Sequence, residues 1–174
     1  MRSDSMSQSH LDNDAVKEVG KHIRHAKVAM FTTRSNGDRL ISRPLHTRDT
    51  EFDGNLWFFT GLDTTKVGEI KSNPRVNLAY VDAGDGAFLS VEGRAEIVRD
   101  QHKVDELWSD AMDSIFFKGG KTDPNLVLIK VTCESAELWT SSSTAIGRVY
   151  NFIKAKITGD EKDLGAHKHV ELKH

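Results

Sequence analysis

The spacing of apolar residues changes several times along the chain, and each change marks an element. From Asn13 to Ala26, the residues Ala15, Val16, Val19, Ile23 and Ala26 recur at helical spacing, with Asp12 or Asp14 placed to cap the first turn. The pattern predicts an amphipathic helix there. Val28–Thr33, Arg39–His46 and Leu56–Phe59 then read as strands, separated by Ser-Asn-Gly-Asp and Asp-Gly-Asn, whose Asn-Gly and Asp-Gly pairs suit tight hairpins. Lys66–Ser72 is a short helix carrying Val67 and Ile70, stopped by Asn73-Pro74 because proline disfavours helix in the residue before it. Val76–Asp82 and Phe88–Val98 read as strands around an Ala-Gly-Asp-Gly turn, and a helix is expected from Asp100 to Ser114 with Val104, Leu107, Trp108 and Met112 on one face. Leu126–Thr132 and Ala136–Trp139 return to strand, and Ala145–Ile157 sets Ile146, Val149, Tyr150 and Ile153 on a helical stripe.

Short strands joined by hairpins, with a few helices between them and no βαβ alternation, predict a mainly β fold: an antiparallel barrel with helices packed outside. A chain of 174 residues suffices for one such domain. It is expected over 13–159, after a mobile polar segment at 1–12 and before a charged tail at 160–174. The balance of 37% apolar and 29% charged residues is that of an ordinary globular protein. A net charge of −2 argues against a nucleic-acid partner, which calls for a basic excess. The polar start and the lack of a long apolar run predict a cytoplasmic protein with no membrane partner. Cys133, the single cysteine, sits in the alternating run VLIKVTC and reads as a packed thiol.

Candidate chemistry concentrates in residues 57–80, WFFTGLDTTKVGEIKSNPRVNLAY. A strand runs into a hydroxyl-rich turn and then into a helix start bearing Thr65 and Lys66. Such a junction gathers free backbone N–H groups, hydroxyls, the positive end of a helix dipole and an ammonium group, a set suited to one phosphate monoester. On composition alone, helix caps beside a solvated lysine are the commoner reading of the same residues. Upstream, Arg43 lies inside a strand just before Pro44, a residue that points to a sheet edge, and its guanidinium suits bidentate phosphate recognition or a surface ion pair. His22 and His25, one turn apart, and His167, His169 and His174 in the tail show no carboxylate or thiol at a ligand spacing and read as solvated. Asp53, Asp82 and Asp85 fall at turns. His46 follows the Arg-Pro-Leu segment and is kept as a residue facing a ligand or as a structural histidine.

In order, the chain carries Arg43-Pro44-Leu45, Trp57-Phe58-Phe59-Thr60, Thr65-Lys66, Asn73-Pro74, Val91-Glu92-Gly93-Arg94-Ala95-Glu96, Leu107-Trp108, Phe116 to Gly120, Asp123-Pro124 and Ala136-Glu137-Leu138-Trp139. This succession, over about residues 14 to 159, resembles the pyridoxamine 5′-phosphate oxidase-like split barrels, and most closely their general stress protein 26 branch. The resemblance implies a homodimer with FMN in clefts between the subunits, FAD being an alternative, and a flavin oxidoreductase exchanging electrons with a small-molecule donor or acceptor. It also implies site residues: Arg43, Thr60, Thr65 and Lys66 around the phosphate and ribityl chain, Leu45 and Phe59 framing the ring, and Trp139 from the partner subunit. Thr65 stands where the family carries arginine, and Arg48 is a candidate for the missing charge. The Arg-Leu-His substrate group of the oxidases is replaced by Thr-Ser-Ser-Ser-Thr-Ala-Ile-Gly-Arg, with Arg148 at a displaced spacing. A non-catalytic flavin-binding stress or sensor protein, and F420 or haem on the same scaffold, are the competing readings.

Overall fold

The structure, a computed structural model, describes residues 3–140, 146–151 and 170–171. Helix α1 (Ser3–Ala26) leads into strands β1 (Val28–Arg34), β2 (Leu40–His46) and β3 (Asn55–Gly61), and α2 (Thr65–Ser72) precedes β4 (Arg75–Asp82) and β5 (Ala87–Val98). Two short helices, α3 (Gln101–Leu107) and α4 (Asp110–Phe116), and a 3-10 turn at Gly120–Thr122 connect to β6 (Leu126–Thr140), β7 (Ile146–Asn151) and β8 (Val170–Glu171). The described pairings are all antiparallel. The strand order is β2-β1-β4-β5-β6-β7-β8, with β3 also paired to β6. The sheet curls into a half-barrel flanked by helices, the split barrel expected from the sequence.

The split arises from β6, whose 15 residues are divided between two neighbours on one side. Its first half, Leu126–Thr132, pairs with β3, and Ser135–Leu138 pairs with β7, while β5 follows its other edge from Ala87 to Val98. A bulge falls between Glu92 and Gly93, opposite Ser135 and Cys133, so Glu134 is the extra residue. That residue interrupts the alternation, and for this reason the sequence reads as two strands where the structure has one. β2 and β3 are the edges left facing one another. A backbone hydrogen bond from Arg48 N–H to the Trp57 carbonyl, 2.8 Å, joins them just past the end of β2.

The barrel interior is filled by alternate residues, among them Phe31, Phe58, Leu78, Leu89, Val91, Ile129 and Val131. Phe31 and Phe58 meet edge to face at 5.3 Å. Val19 and Ile23 of α1 bury against this core, and the helix ends at Lys27, whose φ of 63° and N–H bond to the Ile23 carbonyl close it in the left-handed conformation. Contrary to the solvated reading of the histidines, His22 is buried. Its Nδ1 lies 2.8 Å from Asp82 Oδ2, and His25 Nδ1 lies 3.1 Å from the same oxygen. Burial pushes the Asp82 carboxyl up, but hydrogen bonds involving His22, the Asp85 N–H and His25 outweigh it and hold the group below its ordinary value.

Three further boundaries differ from the sequence reading. α1 begins at Ser3 rather than Asn13. The helix expected from Asp100 to Ser114 is two helices, because Trp108 turns extended at ψ 136° and the Leu107 carbonyl accepts from Arg48 at 2.7 Å. The stripe at Ala145–Ile157 is, over Ile146–Asn151, strand β7, which satisfies the part of β6 that β3 does not reach; 152–157 lie outside the described residues. Short apolar runs do not separate the two periods. Among the described residues, no helix is long and apolar enough to cross a membrane.

A Cβ at Gly93 would sit 2.6 Å from the Thr132 carbonyl oxygen and 2.9 Å from Val131 Cγ1. Gly93→Ala is therefore expected to destabilise the fold by about 1–3 kcal/mol, through forced backbone shifts at the bulge. Urea denaturation of variant and parent checks this; equal midpoints would show that the crossing is not tight.

Candidate functional site

Strand alternation decides which candidate residues can meet. On β2, Arg43 lies opposite Phe31 and Leu45 opposite Ala29, so both face the inner side of the sheet, where Leu45 packs half-buried against the core. β2 is an edge strand, which is where Pro44 is tolerated. On β3, Leu56, Phe58 and Thr60 are buried inward, and Trp57 and Phe59 take the opposite face.

The chain leaves β3 through a turn held by Asn125. Its carbonyl accepts from Leu62 N–H at 2.7 Å, its Oδ1 from Asp63 N–H at 3.2 Å, and its Nδ2 donates to Asp63 Oδ1 at 3.0 Å. Gly61 fits because a Cβ there would lie 2.9 Å from both Asn125 Nδ2 and Asp63 Oδ1. Thr64 occupies the N-cap of α2 without capping it, since its hydroxyl turns back to the Gly61 carbonyl at 2.8 Å. The first turn of α2 thus keeps its positive end without a side-chain cap.

Two linked clusters form beside this helix start. Lys66 Nζ donates to Thr60 Oγ1 at 3.1 Å, and Thr60 Oγ1 lies 3.3 Å from Thr64 Oγ1. Arg43 donates through Nη1 to Thr33 Oγ1 at 2.7 Å and pairs through Nη2 with Glu69 Oε2 at 2.9 Å, while Thr33 donates to the same carboxylate at 2.6 Å. Burial, and then the nearby Arg43 guanidinium, lower the Lys66 pKa against the opposing pull of Glu69 and Asp63. An ammonium disfavoured in this way gains from an anion placed beside it. Two cations, two threonine hydroxyls and an uncapped helix start fit one phosphate group, with Glu69 balancing part of the positive charge.

Of the seven residues singled out from the sequence, Thr60 and Lys66 are in hydrogen-bond contact, and Arg43 stands near enough to lower the Lys66 pKa. Leu45 lies next along the inner face of β2, and Thr65 is exposed at the first position of α2. Phe59 and Trp139 are elsewhere. The Phe59 ring joins a second cluster with Trp108 at 6.0 Å and Phe117 at 6.4 Å. Trp139 lies opposite Phe88 on the outward face of the sheet.

Arg48 does not supply the charge missing at Thr65. It is 7% exposed, and its guanidinium makes a fork with Asp113 at 2.9 and 2.7 Å and stacks over Phe59 at 4.6 Å. Its partner Asp113 also accepts from Ser109 N–H at 2.8 Å. Thr33 and Glu69 are the site residues that sequence reading missed. Glu69 follows Lys66 by three residues on α2 and so shares its helix face, and Thr33 shares the inward parity of Phe31.

The family model described as pyridoxamine 5′-phosphate oxidase like matches residues 14–163. The chain belongs to this family. General stress protein 26 of Bacillus subtilis is 32% identical over 130 residues, covering 72% of this chain and 88% of that protein. Protein bli-3 of Neurospora crassa is 27% identical over 171 residues, covering 90% of this chain and 82% of that one. Among solved structures, the general stress FMN/FAD binding protein of Xanthomonas citri aligns with a TM-score of 0.65 at 26% identity, over 75% of this chain and 92% of that one.

Arg48→Met is expected to lower the unfolding free energy by about 3–5 kcal/mol, because it leaves the buried Asp113 carboxylate without its partner. Chemical denaturation measures this. A loss within experimental error would mean that the ion pair is solvated.

Proposed function

We propose that the protein is a homodimeric flavoprotein that binds FMN through its phosphate at the start of α2 and works as an oxidoreductase on a small-molecule donor or acceptor. The observation that carries the reading is Lys66 held on Thr60 beside Thr64 at the start of α2, with Arg43 joined to the same helix through Glu69 and near enough to lower the Lys66 pKa. The description of the Xanthomonas citri relative as an FMN/FAD binding protein supports it. Lys66 and Arg43 bind the phosphate, Thr60 and Thr65 donate to it or to the ribityl chain, and Leu45 and the backbone of Phe59 border the ring. Glu69 and Thr33 act as positioning residues that hold the Arg43 fork in one orientation. The flavin, when bound, supplies one- and two-electron transfer.

A homodimer accounts for the outward sheet face. Val28, Met30, Val81 and Phe88 lie there, exposed at 44%, 45%, 58% and 56%. A large apolar row of this kind is normally covered. On the same face, opposite Val28, His46 has its Nδ1 buried without a hydrogen-bond partner among the described residues, as expected of an atom completed by a ligand or a partner chain. A flavin store or sensor without turnover is the second reading, favoured by the Thr-Ser-Ser-Ser segment that follows Trp139 in place of the oxidases' substrate group.

Titration of the purified protein with FMN, followed by absorbance, is expected to give one flavin per protomer. Lys66→Ala should weaken binding by about 1–3 kcal/mol, the loss of a charge-assisted hydrogen bond. Unchanged affinity would remove Lys66 from the site, and a Soret band or failure to bind any flavin would overturn the FMN reading. Bleaching by a nicotinamide donor with reoxidation by an acceptor separates the enzyme from the store. Val81→Glu is expected to halve the mass seen by light scattering, and a mass equal to that of the parent would remove this face from the interface.

A further inference from the structure

A cluster of ligand-type side chains lies apart from the candidate flavin site, where α1 meets the β4–β5 turn. His22, Asp82 and Asp85 bring three ligand atoms within 4.8 Å of one another. His22 and Asp82 are 5% and 4% exposed, so the cluster opens to solvent through Asp85 and His25. His22 Nδ1 lies 2.8 Å from Asp82 Oδ2 and 4.0 Å from Asp85 Oδ2. His25 Nδ1 stands 3.1 and 3.8 Å from the same two oxygens. The same ring nitrogen of both histidines therefore faces the same pair of carboxylates.

In a tetrahedral zinc site with bonds of about 2.0–2.1 Å, neighbouring ligand atoms stand about 3.3 Å apart. The four nitrogen–oxygen separations fall on both sides of that distance, and changes of about 0.2–0.7 Å would regularise them. We propose that His22, Asp82 and Asp85, with His25 turning in as fourth ligand, bind one divalent transition-metal ion, zinc by preference, which clamps α1 to the β4–β5 turn. Two neutral imidazoles and two carboxylates carry the charge that balances a divalent cation, and imidazole nitrogen selects zinc over the oxygen-seeking calcium and magnesium. His25 is the exposed member, with a side chain 47% accessible to solvent. The inference does not depend on flavin binding.

Lys21 distinguishes this site from a simple ion-pair network. Its Nζ lies 2.5 Å from Asp85 Oδ2, with the two side chains 51% and 37% exposed. In an ion-pair network Lys21 is a participant, whereas a metal at Asp85 has to displace it into water. Removing the lysine therefore tightens metal binding.

The experiment uses the full chain stripped with chelator, with His167, His169 and His174 replaced by alanine so that the tail offers no competing ligands. Cobalt(II) is titrated by visible absorption, and zinc is then added in competition. The expected result is one cobalt per chain with the intense bands of tetrahedral coordination, displaced by zinc, together with a zinc-dependent rise in the thermal midpoint. Asp85→Asn and His25→Gln, both outside the core, should each weaken binding by about tenfold or more, and Lys21→Ala should strengthen it. Absence of stoichiometric tetrahedral cobalt at high micromolar metal would overturn the proposal. So would an Asp85→Asn variant that binds as the parent does.

Discussion

The pairing of β3 with the first half of β6 is the constraint on which the rest of the arrangement depends. The register runs from Asn55 opposite Thr132 to Gly61 opposite Leu126 and buries Leu56, Phe58 and Thr60 on the inner side. A slip of one residue would turn Thr60 outward and bring Phe59 in. Lys66 would then lose its hydroxyl partner, and Arg48 would lose the ring it stacks on. Asn125, just before β6, ties its start to the turn after β3, so the register and the position of α2 are set together.

Charge is distributed by the same alternation. On the inner side, Arg43 pairs with Glu69, while Lys66 donates to the Thr60 hydroxyl and has its pKa lowered, by burial first and by the Arg43 guanidinium second, against the pull of Glu69 and Asp63. At the Phe59 cluster, Arg48 makes a bidentate fork with Asp113 and donates to the Leu107 carbonyl. The ammonium of the first group has a hydroxyl as its hydrogen-bond acceptor, and the guanidinium of the second has a carboxylate fork. That contrast separates a place able to receive an anion from one that is structural, although both contain an arginine near a barrel strand.

Much of this was legible in the sequence, and the limits have physical causes. The hairpin order and the inner-face positions of Arg43 and Thr60 follow from alternation and turn residues, which are local. The fate of Arg48 was not legible, because Asp113 lies 65 residues away and reaches it only through the break between α3 and α4. His22 and Asp82 were read as solvated and turn residues for the same reason, being 60 residues apart. The continuity of β6 was hidden by Glu134, since a bulge breaks the period without ending the strand. The resemblance placed Phe59 at the flavin without saying which atoms would be there, and alternation then assigns its ring to the opposite face and leaves its backbone.

The same alternation links two parts of the functional proposal. Arg43 and Thr60 face the inside of the barrel, and Trp139, opposite Phe88, lies on the outward face. One chain therefore does not present Trp139 and the Arg43–Lys66 pair to the same small molecule. If both touch one flavin, they come from different protomers, and the face that Trp139 shares with Phe88, Val81 and Met30 is the face that has to be covered. On the proposed homodimer, the exposed apolar row and the distribution of the site residues are two consequences of one geometry: a half-barrel that is completed, and given its second set of contacts, by another copy of itself.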